Sequence, residues 1–294
     1  MELRTDLAVE ARELAGDDVG GVEYSVRKEL GMEISRMNVK THNASVKLKK
    51  EIGTYITIDV PAMTDNILAT DERIRAIGRE IRQLIPVNGL ALVCGLGNPE
   101  ITPDALGPKS VSGVLATRHI TGEIARSTGL DRLRPVAVLS TGVTGQTGIE
   151  TLEYIESISK KLRPNVVIVV DALASRRLER LGCTLQISDT GISPGAGVQN
   201  HRKRIDQVTV GAPVISVGVP TVVDALTLVC DTLKVDDAKT YEELKSSLSP
   251  ENRSMVVTPK EIDLLIDRAG RLISMCLNYA LQQNVDMEII ESLM

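Results

Sequence analysis

The chain has 294 residues, enough for one large domain or two small ones, and 43% apolar with 25% charged residues is an ordinary globular composition. It has no Phe, no Trp and only five Tyr, so the core must be built from Val, Ile, Leu, Ala and Met, and stacking of nucleic-acid bases on aromatic platforms is disfavoured. A net charge of −5 supplies no basic field for DNA or an anionic membrane, so neither is expected as a direct partner.

Residues 1–30 read as a polar, partly helical leader with a break at Gly20-Gly21. MELRTDLAVEARE is charged throughout and lacks the apolar stretch of a signal peptide. Alternation in EISRMNVKT and again in SVKLKKEIGTYITIDV predicts antiparallel strands at one margin of the fold. The period then changes: Ile67, Ile74, Ile77, Ile81, Leu84 and Ile85 recur at helical spacing over 64–85, and Pro86 stops the run. GLALVCG (89–95) predicts a buried strand that leads into the Gly/Pro-rich loop LGNPEITPDALGP. A helix over about 109–127, the strand PVAVLS (135–140), the Gly-rich TGVTGQTG and the helix IETLEYIESISKKL follow. PNVVIVVDAL (164–173) is the most apolar strand, and PVISVGV (213–219) is another, followed by helices near 222–234 and 260–283. Near-continuous Val/Ile runs alternating with amphipathic helices predict an α/β fold. Its sheet should be mostly parallel, with helices on both faces and a small antiparallel N-terminal margin. VVIVV (166–170) is far too short to span a bilayer, so an intracellular, cytoplasmic protein is expected.

In open α/β sheets functional groups gather beyond the carboxyl ends of the strands. Asp104 lies in the loop after the 89–95 strand, framed by glycines and prolines that let a loop hold one shape. Asp171 leaves the apolar VVIVV strand as it reaches the crevice, where a carboxylate is costly to bury. Two carboxylates in one crevice cannot both ionise easily. One would keep a proton as acid while the other, as base, activates water against a peptide bond. Each has a plainer role to weigh: a helix N-cap for Asp171, before ALASRRLERL, and an Asx turn for Asp104.

Other signals are weaker. GLGN lacks the third glycine of a dinucleotide loop, and Ser140 in VLSTG does not supply a nucleophile elbow. His42, His119 and His201 stand at no metal-ligand spacing, and Cys94, Cys183, Cys230 and Cys276 form no CxxC pair. No cofactor and no metal are expected, and the thiols read as reduced core residues. SDTGISPGAGVQNHRKR (188–204) is either a solvated loop or, through Arg202 and Arg204, a seat for an acidic group of a substrate.

The strings GLGNPEITPDALGP, STGVTGQTGIET, VVIVVDALASR, QISDTGISPGAGVQNHRKR, PVISVGVPTVVDA and MVVTPKEID, in this order over most of the chain, resemble the spore germination protease family. The resemblance implies an atypical aspartic-type endopeptidase that degrades small acid-soluble spore proteins at germination. It implies a homotetrameric zymogen that removes its own leader, with Asp104 and Asp171 as the essential acids and substrates cut after an acidic residue. Thr5-Asp6-Leu7-Ala8 has that form, which makes Asp6-Leu7 the expected processing bond, residues 1–6 a propeptide and 7–294 one α/β peptidase domain. Only about twenty residues separate VVDALTLVCDTLK from MVVTP, where some members of the family carry a longer insertion, a departure that bears on assembly or on the substrate channel. The family's fold also resembles the hydrogenase maturation proteases. A metal-dependent processing peptidase of that kind, with His119 or His201 as third ligand, is therefore the alternative.

Overall fold

The computed structural model describes residues 3–16, 18–60, 71–195, 203–235, 237–247, 255–283, 285 and 289–290. Helix α1 (Ala8–Ala15) opens the chain, followed by the hairpin β1 (Val22–Glu29) and β2 (Met32–Val39), helix α2 (His42–Leu48) and β3 (Gly53–Asp59). Helix α3 (Glu72–Leu84), β4 (Ala91–Gly95), α4 (Leu106–Ser112), α5 (Gly122–Thr128), β5 (Val136–Ser140), the single turn α6 (Thr144–Thr147) and α7 (Thr151–Leu162) come next. Strands β6 (Val166–Ser175) and β7 (Thr184–Ser188), turn α8 (Gln207–Val210), β8 (Val214–Asp224), α9 (Ala225–Thr232), α10 (Ala238–Ser247), β9 (Val256–Val257) and α11 (Ile262–Leu281) complete the described fold.

Among the described residues the strands form one sheet in the order β1-β2-β3-β7-β8-β6-β4-β5, with β9 beside β8. Strands β5, β4, β6 and β8 run parallel, while β7, β3, β2 and β1 continue it antiparallel. The α/β reading holds, but the sheet is mixed rather than mostly parallel: among the described strands three pairings are parallel and five antiparallel, because β7 joins the N-terminal strands and β9 adds to β8.

Strand side chains alternate between faces. Ala91, Val93, Val166, Ile168 and Val170 face α3, α4 and α11 on one side, where the largest core cluster lies. Leu92, Cys94, Val167 and Val169 face Leu152 and Ile155 of α7 on the other. Both faces of the parallel block are thus covered, which is why Ala91–Cys94 and Val166–Val170 are apolar at every position. In the antiparallel half, Met37, Val39 and Tyr55 pack with Ala8 of α1 and Ala44 and Leu48 of α2.

Four stretches depart from the pattern reading, each for an identifiable physical reason. Val22–Glu29, inside the expected leader, is a strand because β2 pairs along its whole length. The SVKLKK alternation is the helix α2: Thr41 Oγ1 accepts from the Ala44 amide at 3.3 Å, only Ala44 and Leu48 are buried at helical spacing, and Lys49 at φ 51° ends the helix. The expected 109–127 helix is split, because the Thr117 and Arg118 amides leave helical geometry to donate to the Val136 carbonyl at 3.0 and 2.9 Å. Finally, β6 does not stop at Leu173 and β8 does not stop at Val219. Each keeps the other extended, through a register shift between Leu173 and Ala174, until Ser175 pairs with Val223. The helical look of ALASRRLERL survives only as a 3-10 turn over Leu178–Arg180. Of the expected 64–85 helix, residues before Asp71 lie outside the described residues.

Candidate active site

Asp104 owes its position to two glycines that allow backbone to touch backbone. The chain leaves β4 at Gly95, and the Leu96 amide still donates to the Val170 carbonyl of β6 at 2.9 Å. The loop returns through a 3-10 turn, Thr102–Asp104, into α4. A Cβ at Gly107 would lie 2.2 Å from the Leu96 oxygen and 2.6 Å from the Val170 oxygen, so α4 can start here only on glycine. Gly97 has φ +107°, and a Cβ there would stand 2.0 Å from the Asp104 carbonyl oxygen. With the loop folded this way, the Asn98 amide donates to Asp104 Oδ2 at 2.7 Å, and Thr221 Oγ1 of β8 donates to the Pro103 carbonyl at 2.8 Å. Asp104 therefore does brace its loop, across six residues rather than in an Asx turn.

Asp171 sits within β6, 5% exposed. It caps no helix, since strand follows it, and its Oδ1 accepts from the Ala172 amide at 3.0 Å. Asp171 pairs with Gly218 of β8, and Gly218 pairs with Gln186 of β7. The three residues form one row across adjacent strands, so their side-chain positions share a face. The Cα atoms of the carboxylate and the carboxamide are about 10 Å apart, two strand spacings of about 4.8 Å, and a Cβ at the glycine between them would meet Leu173 Cγ at 2.6 Å. Asp104 and Asp171 line one cavity of 410 Å³, and its wall includes a third acid, Asp6.

Asp6 is there because the N-terminal segment lies along the end of β6. Its amide donates to the Ala174 carbonyl at 2.9 Å, and its Oδ2 accepts from the Ala174 amide at 2.8 Å. Its carbonyl oxygen accepts from Lys50 Nζ at 2.8 Å and from Gln186 Nε2 at 2.9 Å. Leu7 is fully buried with Val9 against Leu173. Upstream, Leu3 packs on Leu226, Cys230 and Tyr241, and Arg4 pairs with buried Asp224 at 2.9 Å. Downstream, Glu10 is fully buried and accepts the Arg176 and Arg177 amides at 2.7 and 3.1 Å, with Thr5 Oγ1 a further donor. Burial raises the Glu10 carboxyl above its ordinary range, against the lowering pull of these donors and of Arg180. Burial pulls the Lys50 ammonium down, while the negative charges of Asp6 and Glu10 hold it up. Lys50, Gln186 and Glu10 escaped sequence reasoning, because nothing local marks a Lys, a Gln or a Glu in a charged chain.

The remaining expected residues divide. Arg204 reaches the site: with Asp6, Lys50, Tyr55 and Asp171 it lines a second, smaller cavity of 150 Å³, and its guanidinium is held by Asp206 at 3.1 Å and by the Thr190 carbonyl. His201 and Arg202 lie outside the described residues. His42 begins α2, and exposed His119 follows residues bonded to Val136, at the amino end of β5 and so at the far end of the parallel strands from the two aspartates. Among the described residues no group of three or more His, Cys, Asp or Glu side chains is placed to hold a metal ion. No described helix is long and apolar enough to cross a membrane. Cys94, Cys230 and Cys276 are buried and Cys183 partly so, all unpaired.

Comparison with known proteins matches residues 2–236 to the family described as germination protease. A germination protease of Clostridium tetani is 39% identical over 99% of both chains. One from Caldanaerobacter subterraneus is 41% identical over 95% of this chain and 94% of its own. One from Priestia megaterium is 34% identical over 97% and 95%. Among solved structures, a [NiFe] hydrogenase maturation protease from Thermococcus kodakarensis covers 67% of this chain and 98% of its own, at 16% identity and a TM-score of 0.37, too remote to carry an argument.

Proposed function

The chain belongs to the germination protease family and is a protease, and from that premise we propose that it is an endopeptidase whose paired carboxylates, Asp104 and Asp171, activate water against a peptide bond. The observation that carries this reading is that the two acids and Asp6 line one cavity, with the Asp6-Leu7 bond laid along β6 beside them. One carboxylate takes the proton of the attacking water. The other, protonated, hydrogen-bonds the reacting group, and the shared proton is returned to the departing amine.

In the same reading residues 1–6 are a propeptide, Asp6-Leu7 is the processing bond and 7–294 is the peptidase domain. A leader bound as Asp6 and Leu7 are bound occupies the cleft that a substrate would need, which supports a self-processing zymogen. The substrates are small acid-soluble spore proteins cut after an acidic residue, in the cytoplasm of the developing spore and the spore core, by a homotetramer. For acidic specificity the support is the Asp6 carboxylate, which accepts the Ala174 amide while Arg204 lines the adjoining cavity.

The test incubates the purified protein, with and without residues 1–6, with a small acid-soluble spore protein and maps the cuts by mass spectrometry. Cleavage after Asp or Glu is expected, unaffected by a chelator and lost in Asp104→Asn and in Asp171→Asn. Unimpaired cleavage by both variants would refute the carboxylate pair, and cuts at unrelated bonds would refute the specificity.

A further inference from the structure

The Asp6 carbonyl is held by side chains. Its oxygen receives two side-chain donors, Lys50 Nζ at 2.8 Å and Gln186 Nε2 at 2.9 Å. They come from different elements. Gln186 stands on β7, 8% exposed, and Lys50 follows the left-handed turn at Lys49 that ends α2. The orientation of the Gln186 amide is set by chemistry: its Oε1 accepts from the Ala8 amide at 2.6 Å, which leaves Nε2 as the donor toward Asp6. Gln186 therefore grips the chain on both sides of the Asp6-Leu7 bond. On the other side of Gly218 stands Asp171. Asp6 and Asp171 line the same two cavities, and a donor pair on a carbonyl oxygen with a carboxylate in the same cleft is the set of groups that addition of water to that carbonyl requires.

We propose that Lys50 and Gln186 are the electrophilic half of the active site: they bind the carbonyl oxygen of the bond to be cut and stabilise the negative charge that develops on it. This rests on the reading of Asp6-Leu7 as a bond the enzyme cuts. Water oxygen bonds to the Asp6 carbonyl carbon as a carboxylate takes the water proton, and the C=O electron pair moves onto the oxygen between Lys50 and Gln186. Collapse restores the carbonyl and breaks the bond to Leu7 nitrogen, which takes the proton back from the carboxylic acid. The products are an Asp6 carboxyl terminus and a free Leu7 amine, with nothing oxidised or reduced. A positive donor and a neutral one, fixed before reaction, stabilise that oxyanion without reorganising. Once the leader departs, the same two groups are free to receive the carbonyl of an external acidic residue.

The experiment uses the full chain and two readouts: appearance of the 7–294 product by intact mass, and kcat and KM, for chain lacking residues 1–6, on a fluorogenic peptide carrying Thr-Asp-Leu-Ala. Lys50→Met and Gln186→Leu are expected to lower kcat by roughly 10²–10³-fold, the loss seen when one oxyanion donor is removed, with KM nearly unchanged. Gln186→Glu keeps an acceptor for the Ala8 amide and the side-chain size but replaces the donor, so an equal loss there separates chemistry from misfolding. Lys50→Arg should restore part of the rate. If the parent cleaves, Asp171→Asn does not, and the Lys50 and Gln186 variants match the parent, this proposal is overturned while the carboxylate pair stands. A raised KM at unchanged kcat also overturns it, because the two residues would then only bind. Should Asp104→Asn and Asp171→Asn stay active while Lys50→Met is dead, the carboxylate reading falls and this one survives. A parent that cuts neither its leader nor the peptide overturns both.

Discussion

Gly97→Ala perturbs the active site without replacing a reacting group. The added Cβ would stand 2.0 Å from the Asp104 carbonyl oxygen and 3.0 Å from Asp104 Oδ1, where ordinary contact begins at 3.4 Å. The loop must therefore retreat by about 1.4 Å, or the backbone must abandon φ +107°. An L-residue in such a conformation costs about 1–3 kcal/mol. Retreat endangers the bond from the Asn98 amide to the Asp104 carboxylate, worth about 1.5–3 kcal/mol for a charged acceptor. Because yielding relieves part of the strain, the net loss should be about 2–4 kcal/mol, a fall in Tm of about 5–15 °C at roughly 2–4 °C per kcal/mol. The protein still folds, but a catalytic group misplaced by about 1 Å loses on the order of 10² in rate. The assay is kcat on the Thr-Asp-Leu-Ala peptide together with a thermal melt. The control is Gly211→Ala, at φ +73° with nothing within 4 Å of its added Cβ. It should cost about 1–2 kcal/mol of backbone strain alone and leave kcat intact. Wild-type kcat in Gly97→Ala would refute the claim that this glycine positions Asp104.

Glu10 gives a pH dependence with a definite sign. A carboxyl raised by burial binds its proton more tightly folded than unfolded. The docking of α1 is therefore strongest below the usual carboxylate range and weakens as pH rises through the raised value. Protection factors of the Ala11 amide, bonded to the Leu7 carbonyl, should fall over that interval and lose their slope in Glu10→Gln. Arg4→Ala removes the charged donor on Asp224, worth about 1.5–3 kcal/mol. Hydrogen exchange at the Asp6 amide should accelerate roughly 10- to 100-fold, and unchanged exchange would mean that Arg4 does not anchor the leader. Burial pushes the thiols of Cys94 and Cys276 far up, so neither should react with iodoacetamide in the native protein, whereas both should react after denaturation.

The parallel half of the fold was written locally. Val166–Val170 and Ala91–Cys94 are apolar at every position because each is covered on both faces, and that pattern needs no knowledge of the partner strand. Asp171 was legible for the same reason, because a carboxylate that interrupts such an apolar run is conspicuous, and Asp104 because glycines and prolines frame its loop. What each does was not. Whether ALAS after Asp171 is helix or strand depends on β8 lying alongside it, a contact between residues nearly fifty positions apart. Propensity favoured the helix, and the pairing overrode it. Likewise SVKLKK alternates like a strand, but a cap at Thr41 and a core that needs only Ala44 and Leu48 make it a helix.

The residues around Asp6 mark the limit of sequence. The family resemblance singled out the acidic-apolar bond Asp6-Leu7, and the pattern of the sequence singled out two acids after apolar runs. Only tertiary structure decided that this bond lies along β6, with Lys50 and Gln186 on its carbonyl and Asp171 across Gly218. Each of those groups is ordinary in its own neighbourhood. They meet because a sheet brings distant strands within about 5 Å of one another, and no local pattern records which strands those are.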